Sequence, residues 1–316
     1  MRKLVAALAF VPALALAQAY PSKPVRIVLP FGPGGVADIT TRTVAPKMSD
    51  TLGQQIVVEN MPGAGGIRAS ETVAHATPDG YTLLLLTNGN AVSKALFNKL
   101  PYDPETDFAM ISTVGYFSMV LVTRADGPLK TLQDALAYAK ANPGKMNIAT
   151  IAPGGTQHLA GELFRSMAGI EALVIPHKTI GEVIIATRQG NTDLAVDFIA
   201  PLISAIKSGQ LRALAVTAGK RFPGLPDVPT ASEAGVKGYD VASWNALAAP
   251  AKTPREVVDK VHGALVKALA DPEVQKRFAE LGVEGRSSTP KELAEFYASE
   301  TKRWTAVVER AKIPKQ

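Results

Sequence analysis

The strongest constraint in this chain is a pattern that occurs twice: a short apolar strand, a Pro-Gly-Gly turn and an amphipathic helix. The first copy starts in the strand Val25 to Leu29, turns through Pro30, Pro33, Gly34 and Gly35, and enters a helix near Asp38 that continues past Arg42. The second starts in Asn147 to Thr150, turns through Pro153, Gly154 and Gly155, and enters a helix whose apolar face is Leu159, Leu163, Phe164 and Met167. Glycine at such a turn admits backbone angles and close approaches that a Cβ would forbid. The helix N-terminus that follows has N–H groups without acceptors, and its dipole favours an anion. Asp38 stands where a side chain can cap the first helix. Taken alone, either loop is also compatible with an ordinary strand-to-helix bend. The duplication is best explained by one ligand clasped between two domains, each contributing a loop.

The rest of the chain supports an α/β architecture with largely parallel sheet, because apolar segments alternate with helical ones. The strand candidates are Val25–Leu29, Ile56–Glu59, Tyr81–Thr87, Met119–Thr123, Asn147–Thr150, Leu173–Ile175, Leu194–Asp197 and Leu211–Thr217. Helical stripes include Leu132, Ala135, Leu136 and Ala139, and the longer set Val257, Val258, Val261, Leu265, Ala268 and Leu269 that ends at Asp271-Pro272. Apolar stretches near Ile111–Arg124 and Val241–Ala249 read as paired connections between domains. The first nineteen residues read as a signal peptide: Arg2 and Lys3, an apolar run from Leu4 to Leu16, and small residues at Ala15/Ala17 or Ala17/Ala19 for cleavage. A membrane anchor needs about 20 consecutive apolar residues, and this run stops at Gln18. The expected organisation is residues 1–19 as signal peptide, 20–120 with 229–316 as one discontinuous domain, and 121–228 as the other.

Composition narrows the chemistry. There is no cysteine among the 316 residues, so disulfide staples, thiolate catalysis and thiolate metal sites are excluded. The formal charge of +6 includes Arg2 and Lys3; without them 32 basic residues face 28 acidic ones, with no long basic run, and nucleic acid is not an expected partner. A nucleotide-binding enzyme is disfavoured because neither loop has Gly-x-Gly-x-x-Gly spacing or a following Gly-Lys-Ser/Thr. A hydrolase lacks Gly-x-Ser-x-Gly and His-Glu-x-x-His. His75 and His262 read as surface or boundary residues, and the four histidines have no zinc spacing. Arg42 and Arg124 read as structural salt-bridge residues. Asp197, a lone acid ending an apolar strand, reads as an acceptor for a ligand amine or hydroxyl or as a group that repels a second carboxylate; the alternative is a structural acid. Lys178 is either a solvated surface charge or the partner of a distal carboxylate.

Longer runs carry a family resemblance: Tyr20 through Gly35, Glu59 through Gly66, Pro78 through Leu84, Leu100 through Pro104, Gly209 through Thr217, Leu225 through Thr230 and Ala249 through Pro254. Together they resemble the Bug family, the TctC-like receptors of tripartite tricarboxylate transporters, in order along the whole mature chain. The resemblance implies a two-domain, type II-like periplasmic binding protein, each domain a mostly parallel sheet flanked by helices, with the cleft between them. It implies a monomer without cofactor or metal and without enzymatic activity. Its role is to capture a small carboxylate and present it to transporter membrane subunits, or to a signalling partner in a sensing role. Carried over by residue, the first loop supplies Phe31, Gly34, Gly35, Val36, Ala37 and Asp38, and the second Pro153, Gly154, Gly155, Thr156 and His158. The rest of the solute then meets Gly66, Ile67, Thr87, Asn88, Asn90, Lys178, Thr179 and Asp197. The chain departs from the family pattern at Ile67, at His177 to Ile180 and at Asn245-Ala246, all in the distal half of that pocket.

Overall fold

The structure is a computed structural model that describes residues 20–63, 66–151 and 155–315. The expected signal peptide, Pro153 and Gly154 lie outside the described residues. In chain order the elements are β1 (Val25–Leu29), α1 (Val36–Leu52), β2 (Ile56–Asn60), α2 (Ile67–Ala74), β3 (Thr82–Thr87), α3 (Asn88–Leu96) and β4 (Phe108–Arg124). Then follow α4 (Leu132–Ala141), β5 (Met146–Ile151), α5 (Thr156–Ala168), β6 (Ala172–His177), α6 (Ile180–Gln189), β7 (Leu194–Phe198), α7 (Ile199–Lys207) and β8 (Leu211–Val216). The chain closes with β9 (Ala242–Pro250), α8 (Arg255–Ala270), α9 (Pro272–Glu280), β10 (Val283–Gly285) and α10 (Pro290–Ala311).

One long strand organises both halves. The 17-residue β4 pairs with β9 and β10 along its first part and with β7 and β8 from Met119 onward. The first sheet is completed by β1, parallel to both β2 and β3, and by β9, antiparallel to β3. The second contains β5, parallel to both β6 and β7. The segments expected to connect the domains pair with each other, from Phe108 opposite Pro250 to Ser118 opposite Ala242.

Each sheet is covered on both faces, which is why its strands read as continuous apolar runs. In β3, Leu83 and Leu85 join one buried cluster with α1 and α8, whereas Leu84 and Leu86 join another with Ala69 and Val73 of α2. The second half repeats the arrangement: Ile148 packs with Leu159 and Phe164 of α5, and Ala149 with Val183 of α6 and Leu202 of α7. Two helices belong to both halves. Leu293 and Tyr297 of α10 pack into the first half and Trp304, Val307 and Val308 into the second; α3 divides Ala91 from Val92, Ala95 and Leu96 in the same way. The segment from Ala231 to Val241 packs into the second half's core, and the chain re-enters the first half at β9.

Candidate functional site

The two glycine loops end in matched helix N-termini. α1 is capped by Gly35 at φ −75°, ψ 166°, and α5 by Gly155 at φ −71°, ψ 167°; neither has a side-chain cap. α4, α6, α9 and α10 are capped by the side chains of Thr131, Thr179, Asp271 and Thr289, whereas α2, α7 and α8 also lack a side-chain cap; α2 starts behind Gly66 in the left-handed region, unlike Gly35 and Gly155. The first intrahelical bonds are Ile39 N–H to Gly35 O at 2.9 Å and Leu159 N–H to Gly155 O at 3.0 Å. The N–H groups of Val36, Ala37 and Asp38, and of Thr156 and Gln157, therefore have no acceptor within their own helices. Gly35 is exposed, and a Cβ there would meet nothing within 4 Å. Its φ is ordinary for any residue, so glycine is not needed for strain but keeps the N-terminus open.

Asp38 holds the first loop in shape rather than presenting a charge to a ligand. Its Oδ2 accepts from Gly34 N–H at 2.9 Å, and its Oδ1 accepts from Arg42 Nε and Asn60 Nδ2, both at 2.9 Å. Asn60 Nδ2 also donates to Phe31 O at 3.0 Å, and Arg42 Nη2 to Asn60 Oδ1 at 2.7 Å. Burial is the largest single influence on the Asp38 carboxyl and opposes ionisation; the bonds from Gly34, Asn60 and Arg42 together outweigh it and hold the group below the usual range. Gly34 sits at φ +85°, where a side chain would be strained. Phe31 is exposed at the rim, while Val36 and Ala37 turn their side chains onto the core beside β1.

One parallel register and one side-chain contact lead from the first loop to the start of α5. Val28 lies opposite Leu84, so the loop after β1 runs beside Thr87 and Asn88 at the end of β3. Asn88 Nδ2 reaches Thr156 Oγ1 at 3.4 Å, joining the start of α3 to the start of α5. Gln157, next on α5, donates through Nε2 to Asp197 Oδ1 at 3.2 Å, and Phe198 N–H donates to the same oxygen at 2.7 Å. In β5, Ile151 pairs with His177; Ala149 pairs with Ala195, so continuing that register sets Asp197 level with Ile151. Burial pushes the Asp197 carboxyl up to about 6. Burial also lowers the pKa of His158, against the opposing pull of Glu162.

Other expected site residues are occupied by the fold itself. Asn90 Oδ1 accepts from Thr87 N–H at 2.9 Å and Thr87 Oγ1 at 3.1 Å, and Asn90 Nδ2 donates to Ser70 Oγ at 2.7 Å. Thr179 Oγ1 accepts from Glu182 N–H, and Glu182 Oε2 from Lys178 N–H, a reciprocal cap on an exposed rim. Ile67 begins α2 and packs against the core that contains Val28; the adjoining Gly66, at φ +87°, lies so near Pro30 that a Cβ would stand 3.0 Å from that ring. A groove of about 280 Å³ lined by Glu162, Arg165 and Val307 lies at the opposite end of α5 and contains none of these residues.

Unpartnered buried atoms occur on expected residues and on others outside that set. Buried side-chain atoms without a hydrogen-bond partner include Asn88 Oδ1, Thr150 Oγ1, His177 Nε2, Asp197 Oδ2 and Asn245 Nδ2. Thr150, His177 and Asp197 lie at the carboxyl ends of three adjacent parallel strands, and Asn245 pairs in register with Thr87, beside Asn88. This is the edge of a parallel sheet at which α/β proteins bind ligands. Among the described residues no group of three His, Asp or Glu side chains could hold a metal ion, and no helix is long and apolar enough to cross a membrane.

Residues 40–313 match the description "Tripartite tricarboxylate transporter family receptor". The chain belongs to this TctC, or Bug, family of receptors. An Agrobacterium vitis relative, the UPF0065 protein of the TAR-I ttuE-ttuC' intergenic region, is 39% identical over 304 residues, 95% of this chain and 88% of its own length. Two solved receptor structures share the fold throughout. Rhodopseudomonas palustris MatC with bound malate has a TM-score of 0.78 at 34% identity and covers 92% of this chain and 100% of its own. R. palustris Rpa4515 with adipate has a TM-score of 0.83 at 31% identity, covering 94% and 100%. The family assignment gives the paired glycine loops of this receptor their context.

Proposed function

We propose that this chain is a periplasmic receptor that captures a small carboxylate between its two halves and presents it to transporter membrane subunits. The observation that carries the proposal is the pair of uncapped helices that start behind Gly35 and Gly155 in the same extended N-cap geometry, one in each half. A single carboxylate between them accepts from the N–H groups of Val36, Ala37 and Asp38 on one side and Thr156 and Gln157 on the other. Each hydrogen bond to a charged group contributes about 1.5 to 3 kcal/mol net, so four or five of them supply most of the roughly −8 kcal/mol of a micromolar complex before closure costs are subtracted. Neutral N–H donors do this without a buried cation that would need an anion when the site is empty. The malate and adipate in the MatC and Rpa4515 structures support a carboxylate as the solute. An N-terminal export signal, expected over residues 1–19, fits a receptor outside the cytoplasmic membrane.

Calorimetric titration with di- and tricarboxylates, amino acids and aromatic acids tests the proposal. Micromolar binding of at least one of these carboxylates is expected, and no heat from any of them would overturn it.

A further inference from the structure

Asp197 is 1% exposed, and its Oδ1 is fully engaged by Phe198 N–H and Gln157 Nε2 while its Oδ2 has no partner. Asn88, also 1% exposed, uses its amide nitrogen on Thr156 and leaves its Oδ1 without a partner. Thr156 and Gln157 are consecutive in the first turn of α5, so both unpartnered acceptors flank the helix start that holds the solute carboxylate in the reading above. A buried acceptor that lacks a donor costs free energy, and an ionised one costs more. A second carboxylate placed there would meet oxygen atoms of its own sign. A donor would satisfy them.

Resting on the carboxylate site proposed above, we infer that the solute carries a hydroxyl or ammonium donor next to its bound carboxylate, and that Asp197 Oδ2, with Asn88 Oδ1, accepts from it. Asp197 is thus a specificity-determining residue that selects hydroxy or amino acids over plain carboxylates of the same length. The raised affinity of the Asp197 carboxyl for its proton agrees with an acceptor that has been stripped of water and given nothing in exchange. The donor restores the missing partner, and an ammonium also supplies the opposite charge.

Matched series separate this inference from the carboxylate site itself. Calorimetry would compare succinate with malate and aspartate, glutarate with 2-hydroxyglutarate and glutamate, and propionate with lactate and alanine. The donor-bearing member of at least one series is expected to bind about 10- to 100-fold more tightly than its plain counterpart, the range of one hydrogen bond to a charged group. Asp197→Ala, which removes both carboxylate oxygens where Asn would keep a carbonyl acceptor, is expected to collapse that ratio towards unity, with a thermal melt confirming that the variant is folded. Carboxylates that bind with no preference for the donor, or a preference that persists in the folded variant, would overturn the donor subsite and leave the carboxylate site standing. Absence of binding across every series would overturn both.

Discussion

Trp244 Nε1 donates to Glu300 Oε2 at 3.0 Å, tying the strand that re-enters the first half to the helix that spans both. The same oxygen accepts from Trp304 Nε1 at 2.9 Å, and Trp304 is buried in the core of the second half. Arg303 donates to Glu300 Oε1 at 3.2 Å and also to the Asp240 carbonyl. The chain's two tryptophans therefore share one carboxylate, 4% exposed, where the halves meet.

Glu300→Ala removes the acceptor for both buried indole N–H groups. It is expected to destabilise the protein by about 3 kcal/mol, the range for losing hydrogen bonds to a charged group and leaving buried donors unpaired. Glu300→Gln keeps an acceptor and should lose about half of that. Urea unfolding measures both; equal stability for wild type and Glu300→Ala would show that the shared carboxylate is not a structural tie.

Gly35→Asp places a capping side chain where α1 has none, with open space for the Cβ. Replacing an N-cap Gly by Asp adds about 0.5 kcal/mol to a helix, so the variant should be slightly more stable than wild type while its own carboxylate occupies the solute's donors. Denaturant melts and a carboxylate titration on the same sample check the two effects. A stabilised variant with undiminished affinity would place the bound carboxylate elsewhere.

The pH dependence of stability has two opposed contributions. Asp38 is held below its ordinary range, so its contribution is present above the unfolded value of 3.8 and is lost as pH falls through the lower folded value. Asp197 is raised from 3.8 to about 6, so its proton-bound form favours the fold at low pH and that stability is lost as pH rises across this window. Asp197→Asn should therefore stabilise the ligand-free protein by up to about 3 kcal/mol at pH 7, with the gain vanishing near pH 4. Chemical denaturation at the two pH values checks it; a gain that does not change with pH would mean that the carboxyl titrates in its usual range.

Asp38→Ala should open the first loop, because Gly34 N–H, Arg42 and Asn60 all lose their common acceptor. A loss of about 2 kcal/mol is expected, together with faster amide exchange at Gly34 and Gly35. Unchanged exchange there would show that the loop holds its shape without Asp38.

Local chemistry makes much of this fold legible in the amino-acid sequence. Each expected strand appears, because residues such as Leu83 to Leu86 are buried on both faces and leave a continuous apolar run. Arg42 and Arg124 form the expected structural ion pairs, with Asp38 and Asp126. The roles of individual polar side chains are harder to read. The family resemblance assigns Asn90 and Thr87 to the solute pocket, and the structure shows their side chains closing a capping box, while Asp38 Oδ2 accepts from Gly34. The unpartnered atoms of His177 and Asn245 depend on strands paired across the sheet, and Glu300 meets Trp244 across 56 residues. Such contacts carry no periodic signature, because pairing at that separation is set by topology rather than by neighbours along the chain.

The central claim is that one carboxylate is held by both helix starts at once. The most direct measurement is the affinity of a bound carboxylate for wild type, Gly35→Asp, Gly155→Asp and the double variant. If one carboxylate bridges the two, either substitution alone should weaken binding by about 100-fold or more, and the second should add little. Losses that are small and additive, or confined to one of the two glycines, would contradict it.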